Sequence, residues 1–363
     1  MKILFASITD SGILRVRSEL ILELISQGHE VLIVTPEEND HRKLEEMGCK
    51  FVPISIQQHG LNPFADLGLY FQYKKILKAE KPDIVFLFTT KPNVYCGTAC
   101  RRLNVPVVMN ITGMGSALGN PGFVQKVLIS LYKIACGGHN IKKIFFQNDD
   151  SKDFFNKHKI GNADTYFRIP GSGVNLEKFS VLPFPEKNTV DFLFVARVMK
   201  QKGIDQYLEA ARIVRGKHPE AVFHVLGGCD ESYKDILNKA DNAGTIVYHG
   251  RVDNILDFQK LSQCTIQPSY YPEGMSNVIL EAAASGRPVI TTDHPGCREG
   301  VDDGITGYII PIKDTLALVK AIEKLLSLST QERVGMGRCG REKMEKEFDR
   351  KIVTKAYLDA LNG

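Results

Sequence analysis

The sequence predicts an α/β protein built from two doubly wound, parallel-sheet domains, and three observations carry that reading. Short apolar runs alternate with amphipathic stretches of helical length, the signature of βαβ units. The alternation breaks once, over residues 165–190, and then restarts. The length of 363 residues suits two hydrophobic cores, at about 100–200 residues per domain.

In the first half, KILFAS (2–7) reads as a buried strand and 14–27 as a helix stopped at Gly28. HEVLIVTP (29–36) and KFVPIS (50–55) are further strands. A helix over 64–79 leads through Pro82 to DIVFLF (83–88), and PVVMN (106–110) and KKIFFQ (142–147) flank a helix around 122–136. These runs are apolar throughout, as strands covered on both faces are. Between 165 and 190, Pro170, Gly171, Gly173, Pro183 and Pro185 interrupt any period, and the segment reads as a linker.

The pattern resumes with VDFLFVAR (190–197), a helix over 203–216 and AVFHVLGG (221–228). TIVYHG (245–250), CTIQP (264–268) and RPVITT (287–292) follow, then helices near 314–327, 330–346 and 350–361. Ligands of such sheets lie beyond the carboxyl ends of the strands, so a cleft between the two domains is the expected site.

With 43% hydrophobic and 24% charged residues, the composition excludes collagen-like, disordered and disulfide-scaffold classes. No run approaches the roughly 20 apolar residues of a membrane-spanning helix, and MKILFASITD lacks the order of a signal peptide. The eight cysteines form no CxxC pair and no zinc-ligand set, so they read as reduced thiols of a cytoplasmic protein without a metal. The net charge of +4 is concentrated in residues 1–165, and positions 84–148 contain no Asp or Glu. Lys91, Arg101, Arg102, Lys126, Lys133, Lys142 and Lys143 lie in that stretch, which is expected to face something anionic. A balance of only +4, with no stacking-and-basic motif, argues against nucleic acid.

The chemistry concentrates in YYPEGMSNVILEAAASGRPVITT (270–292). Glu273 sits in a Pro-Glu-Gly turn, and Gly274, Met275, Ser276 and Asn277 span the start of a helix that carries Glu281. A helix start offers unpaired N–H groups and about half a positive charge, which suits a phosphate. A carboxylate on either side can accept hydrogen bonds from the vicinal hydroxyls of a ribose and a sugar. Two arbitrary glutamates at this spacing are usually solvated surface residues; the surrounding pattern favours the functional reading. FLFVARVMKQKGIDQYLEAA (192–211) places Arg197 and Lys202 in a strand–loop–helix turn, a second candidate pyrophosphate clamp.

These motifs, with GRPVITTDHPGCREGVDDGITGYIIP (286–311) and IPGSGVNLEKF (169–179), resemble family 4 glycosyltransferases of GT-B fold over essentially the whole chain. The resemblance implies two Rossmann-like domains, an acceptor-binding one at 1–168 and a donor-binding one at 169–346, with the last helix, about 347–363, packing back on the first. It assigns Arg197 and Lys202 to the donor diphosphate and Glu281, in the EX7E motif, to the ribose. Glu273 goes to the transferred sugar, the amides of Gly274–Asn277 to phosphate and sugar, and Arg251 and Val252 to the base. Transfer would retain the anomeric configuration and need no metal or other cofactor, the nucleotide-sugar, by family habit a UDP-sugar, being a substrate.

TTKPNVYCGTACRRLNVPVVMNITGMGSAL (89–118) further resembles the subgroup that builds bacterial capsular and lipid-linked saccharides. That implies an undecaprenyl-diphosphate-linked acceptor and peripheral contact with the anionic inner face of the plasma membrane through the N-terminal domain. Helical segments 61–78, with Phe64, Tyr70, Phe71 and Tyr73 beside Lys74, Lys75 and Lys78, and 123–138 are the expected lipid-facing elements. Where relatives carry a Gly-Gly pair, this chain has Gly12 beside Asp10 and Ser11. Where many place a histidine after the fourth strand, it has Thr90 and Lys91; these are the N-domain candidates. His139 reads as structural. A sugar-nucleotide 2-epimerase of the same fold and a non-catalytic sugar-nucleotide-binding partner are the competing readings.

Overall fold

The computed structural model describes residues 1–57 and 63–362. The chain forms two units, Met1–Ser172 with Lys351–Gly363, and Gly173–Arg350.

The first unit runs β1 (Lys2–Ala6), α1 (Asp10–Ser26), β2 (Glu30–Thr35), α2 (His41–Glu46), β3 (Lys50–Pro53), α3 (Pro63–Glu80) and β4 (Ile84–Phe88). A π-helical turn (Pro92–Cys96), α4 (Gly97–Leu103), β5 (Val107–Ile111), α5 (Gly115–Gly119), α6 (Phe123–Cys136), β6 (Ile141–Phe146), α7 (Asp149–Lys157) and β7 (Tyr166–Arg168) follow. The strands form one parallel sheet in the order β3-β2-β1-β4-β5-β6-β7. Every residue of β4 and β5 is buried, which explains their unbroken apolar runs. Helix α1 begins at Asp10, four residues ahead of the periodic pattern, because the Thr9 hydroxyl accepts from the Gly12 amide and caps it.

The segment 165–190 is not all linker: β7 occupies its start and pairs with β6, Tyr166 opposite Ile144. At the other end of the sequence, α14 (Arg350–Asn362) buries Val353, Tyr357 and Ala360 in the first unit's core. The Tyr357 ring meets Phe145 at 4.9 Å, and its hydroxyl accepts from Asn110 Nδ2 at 2.6 Å.

The second unit comprises β8 (Val190–Val195), α8 (Ile204–Arg215), β9 (Ala221–Leu226), α9 (Lys234–Asn242), β10 (Val247–Gly250), α10 (Ile255–Leu261) and β11 (Cys264–Gln267). It continues with α11 (Asn277–Ala284), β12 (Val289–Thr292), β13 (Gly307–Ile310), α12 (Thr315–Ser327) and α13 (Thr330–Glu347). Its parallel sheet has the order β10-β9-β8-β11-β12-β13. The sequence pattern did not announce β13. A Cβ on Gly307 would lie 1.8 Å from the Val289 carbonyl oxygen, so only glycine lets this edge strand begin there. All eight cysteines are free and six are buried.

Candidate active site

Strand order reverses between β8 and β11 in the second unit and between β1 and β4 in the first. Open α/β sheets bind ligands at such switch points. Arg197 and Lys202 follow β8 and Glu273 follows β11, so the strongest sequence candidates converge on the second unit's switch point.

Backbone contacts hold these loops together. Lys200–Lys202 form a 3-10 turn, and Gly203, at φ 80°, starts α8. A Cβ there would lie 2.0 Å from the Pro268 carbonyl oxygen, so the two loops approach as closely as glycine permits. The Tyr270 amide donates to the Gln201 carbonyl at 2.9 Å. Across this junction Lys202 Nζ forms an ion pair with the Glu273 carboxylate. The ammonium also lies 5.0 Å from the centre of the Tyr271 ring. Seventy-one residues separate the pair in sequence, and both side chains are largely shielded from solvent.

A third loop, after β12, supports the Glu273 turn. Gly296 has φ 83°, and a Cβ on it would come within 2.8 Å of Glu273 Cβ. Its carbonyl accepts from the Ser276 amide at 2.7 Å. That bond corrects one expectation: of the amides from Gly274 to Asn277, the one of Ser276 is committed to the protein itself. Met275 turns its side chain into a core cluster with Leu280 and Phe348. The Asn277 side-chain oxygen is buried without a partner. Behind Gly296, Cys297 is fully buried; burial first, then the Glu273 carboxylate, pushes its thiol up to about 12, so it stays protonated. Glu281 is only 7% exposed on α11, which removes the solvated-surface reading. Arg197 is exposed, with its guanidinium 3.0 Å from Met199 Sδ. Arg251 and Val252 follow β10, on the far side of β9. Gly227, after β9, donates to the Gly250 carbonyl at 2.7 Å.

At the first unit's switch point, the N-domain candidates are engaged differently from what the sequence suggested. Asp10 is fully buried. Its carboxylate accepts from the Ser11 amide at 2.5 Å, from Glu38 at 3.2 Å and from Asp40 at 3.0 Å, which fixes the loop after β2. The Gly12 amide is spent on Thr9 Oγ1, and a Cβ at Gly12 would lie 2.6 Å from that oxygen. Gly12 is thus required by the cap. Ser11 is exposed at the helix start. The Thr90 hydroxyl meets that of Tyr132. Lys91, expected to present a cation, is buried and paired with Asp66 of α3 at 2.8 Å. Sequence reasoning passed over Thr89, the first residue after β4. It sits at φ 71°, and its hydroxyl oxygen is buried without a partner. Positive φ is a genuine outlier for a β-branched residue, and such strain gathers at functional sites. Only the Thr-Thr pair behind a buried strand hinted at it.

Among the described residues, no group of three or more His, Cys, Asp or Glu could hold a metal ion, and no helix is long and apolar enough to cross a membrane.

Residues 176–343 match the family described as Glycosyl transferases group 1, and residues 2–148 match Glycosyl transferase 4-like. The capsular polysaccharide biosynthesis glycosyltransferase CapM of Staphylococcus aureus is 30% identical, over 87% of this chain and 86% of CapM. The chain belongs to the group 1 glycosyltransferase family. A second relative of this glycosyltransferase is the N,N'-diacetylbacillosaminyl-diphospho-undecaprenol alpha-1,3-N-acetylgalactosaminyltransferase of Campylobacter jejuni. It is 25% identical over 99% of the chain and 97% of its own length. The fold is GT-B, shared with solved structures at low identity. Anabaena Alr3699/HepE, solved with UDP and glucose, has a TM-score of 0.80 at 16% identity, covering 100% of this chain and 99% of its own. A Rickettsia africae glycosyltransferase has 0.81 at 20%, covering 99% and 97%. Within the glycosyltransferase, Arg197, Lys202, Arg251, Val252, Glu273 and Glu281 lie in the group 1 region, and Asp10, Gly12, Thr90 and Lys91 in the 4-like region.

Proposed function

We propose that this glycosyltransferase moves a sugar from a UDP-sugar to an undecaprenyl-diphosphate-linked saccharide in bacterial surface polysaccharide assembly. Transfer proceeds with retention at the anomeric carbon and needs no metal or other cofactor. The observation that carries the reading is the Lys202–Glu273 pair at the switch point between β8 and β11. It sets a cation for a diphosphate beside a carboxylate for sugar hydroxyls before any donor arrives.

On donor entry Lys202 turns from Glu273 to the diphosphate, joined by Arg197, and the freed carboxylate accepts from the sugar hydroxyls. Glu281 takes the ribose, and the chain at Arg251 and Val252 meets the base. As the bond from anomeric carbon to phosphate oxygen breaks, the acceptor oxygen bonds to that carbon on the same face. The departing phosphate oxygen takes the acceptor's proton, so no side chain has to act as base. Preorganised positive charge on the leaving diphosphate supplies most of the acceleration.

The acceptor reading is supported by full-length likeness to the undecaprenol-linked N-acetylgalactosaminyltransferase. A lipid-linked acceptor sets the reaction at the inner face of the plasma membrane, where the first unit meets the anionic surface. Thermal stabilisation by a panel of UDP- and GDP-sugars tests the donor, because selective binding raises the melting point. Transfer to a lipid-linked saccharide with chelator present, and the anomeric configuration of the product, test the rest. Isomerisation of the donor without acceptor would instead mark a 2-epimerase, and binding without turnover a non-catalytic partner.

A further inference from the structure

The second unit holds a cavity of about 460 Å³, within the ordinary size range of small-molecule sites. It opens between two single turns, Lys200–Lys202 after β8 and Glu231–Tyr233 after β9, with Ile236 of α9 at its edge. Neither Lys202 nor Glu273 nor Glu281 lines it. Lys202 ends the same turn, but its ammonium is committed to Glu273. Backbone bonds fix the walls. The Val198 amide donates to the Gly228 carbonyl at 2.8 Å and the Asp230 amide to the Val198 carbonyl at 3.1 Å, so the loops after β8 and β9 stay paired beyond the sheet. The Tyr233 amide donates to the Asp230 carbonyl at 2.9 Å, and the Tyr233 hydroxyl donates to Asp205 Oδ1 at 2.9 Å.

The chemistry of the lining selects the occupant. Lys200, Gln201, Asp230 and Ser232 line the cavity, and among the described residues none of these four side chains has a hydrogen-bond or ion-pair partner. Together they offer an ammonium, an amide, a carboxylate and a hydroxyl, donors and acceptors in one place. Met199 and Ile236, the latter 47% exposed, add an apolar ledge. A phosphate would meet the Asp230 carboxylate with a single lining cation against it. A nucleoside base would find no aromatic face, since the Tyr233 ring is buried. An apolar molecule would strip four polar groups of water without return. A sugar ring satisfies them all: its hydroxyls donate and accept, a vicinal pair suits a carboxylate, and its C–H face rests on Met199 and Ile236.

We propose that this cavity is a second carbohydrate subsite, which takes a short saccharide other than the sugar being transferred. The subsite goes beyond the donor reading and stands without it. Its occupant contacts Lys200 and Gln201, in the turn that also carries Lys202. Two sources supply this chemistry, the sugar chain of an acceptor and a free oligosaccharide.

The full chain is screened by saturation-transfer NMR against neutral di- and trisaccharides of glucose, galactose and N-acetylhexosamines. At least one member is expected to bind saturably, with a Kd of about 1 mM or below. Lys200→Ala combined with Asp230→Ala should weaken that binder by about tenfold or more. Ser232→Trp fills the cavity and should give an independent loss. All three positions are exposed, so both variants should keep the wild-type melting temperature. A panel without a binder, or a binder that neither variant weakens, overturns the proposal. In transfer to a lipid-linked saccharide, a raised acceptor KM in the double variant at unchanged UDP-sugar KM assigns the occupant to the acceptor's own sugars. Unchanged kinetics with lost saccharide binding assigns it to a free oligosaccharide, and either result supports the subsite. Stabilisation by UDP-sugars is read separately; if it fails while saccharide binding holds, the transferase reading falls and the subsite stands.

Discussion

Lys91 Nζ lies 2.8 Å from Asp66 Oδ1, and both side chains are almost wholly withdrawn from solvent. The pair ties the first turn of α3 to the loop that leaves β4. Tyr95 closes the arrangement: burial first, then the charge of Asp66 and a hydrogen bond to it, pushes its hydroxyl well above the usual range.

Removing one partner strands the other charge in a low-dielectric site. Lys91→Met is expected to cost about 3–5 kcal/mol of unfolding free energy. Asp66→Asn combined with Lys91→Met should recover more than half of that loss in urea unfolding. If the double variant is no better than the single, the two groups do not neutralise each other.

Lys202 and Glu273 should each matter to turnover far more than to folding. Lys202→Ala and Glu273→Ala are expected to lower kcat/KM by about 100-fold or more, with little change in melting temperature. Near-normal rates for both would remove the roles assigned to them.

Thr89 carries backbone strain of about 1–3 kcal/mol. Thr89→Gly relieves it, so the variant should unfold at a higher temperature even though glycine enlarges the unfolded ensemble. If the strain serves transfer, kcat falls in the same variant. Higher stability with unchanged kcat would make the strain incidental.

A polar chain in the second unit predicts acid sensitivity. Burial pushes Asp191 up, but hydrogen bonds from His224, Lys187 and Thr189 outweigh it and hold the carboxyl below its ordinary range. His224 Nε2 lies 3.0 Å from Asp191 Oδ2, and His224 Nδ1 lies 3.0 Å from His249 Nε2. Burial, then the His224 charge, holds His249 below its ordinary value of 6.5. Both folded values are depressed, so each group's stabilisation is complete above its unfolded value and lost as pH falls through the folded one. Stability should therefore drop first just below pH 6.5, and again near and below about pH 4. Melting curves from pH 7.5 downward check this, and His249→Gln should abolish the first drop alone.

The sheets and the second unit's switch-point residues were legible because their signals are local. Buried strands read as apolar runs, and the EX7E spacing and the loop with Lys202 each lie within a few turns of chain. What escaped depends on contacts distant in sequence or on backbone angles. Nothing near Lys91 says that Asp66, 25 residues earlier, will claim its charge, or that Asp10 turns inward to the loop after β2. Thr89 gave no sign of its φ. On α3 the aromatic residues were visible but their helical phase was not, so Tyr73, expected to face lipid, lies in the core. The strand β7 hid in a Pro- and Gly-rich stretch because three residues at a sheet edge need little pattern of their own.

The position of Tyr357 bears on how the polypeptide is made. The first unit's strands leave the ribosome early, but the aromatic nest around Phe86 and Phe145 waits for Tyr357, which follows the whole second unit in sequence. All of Gly173–Arg350 is synthesised before α14 is complete. During translation the unit begun first is thus completed last, and a nascent chain stalled near residue 350 would expose an unfinished core to chaperones and proteases.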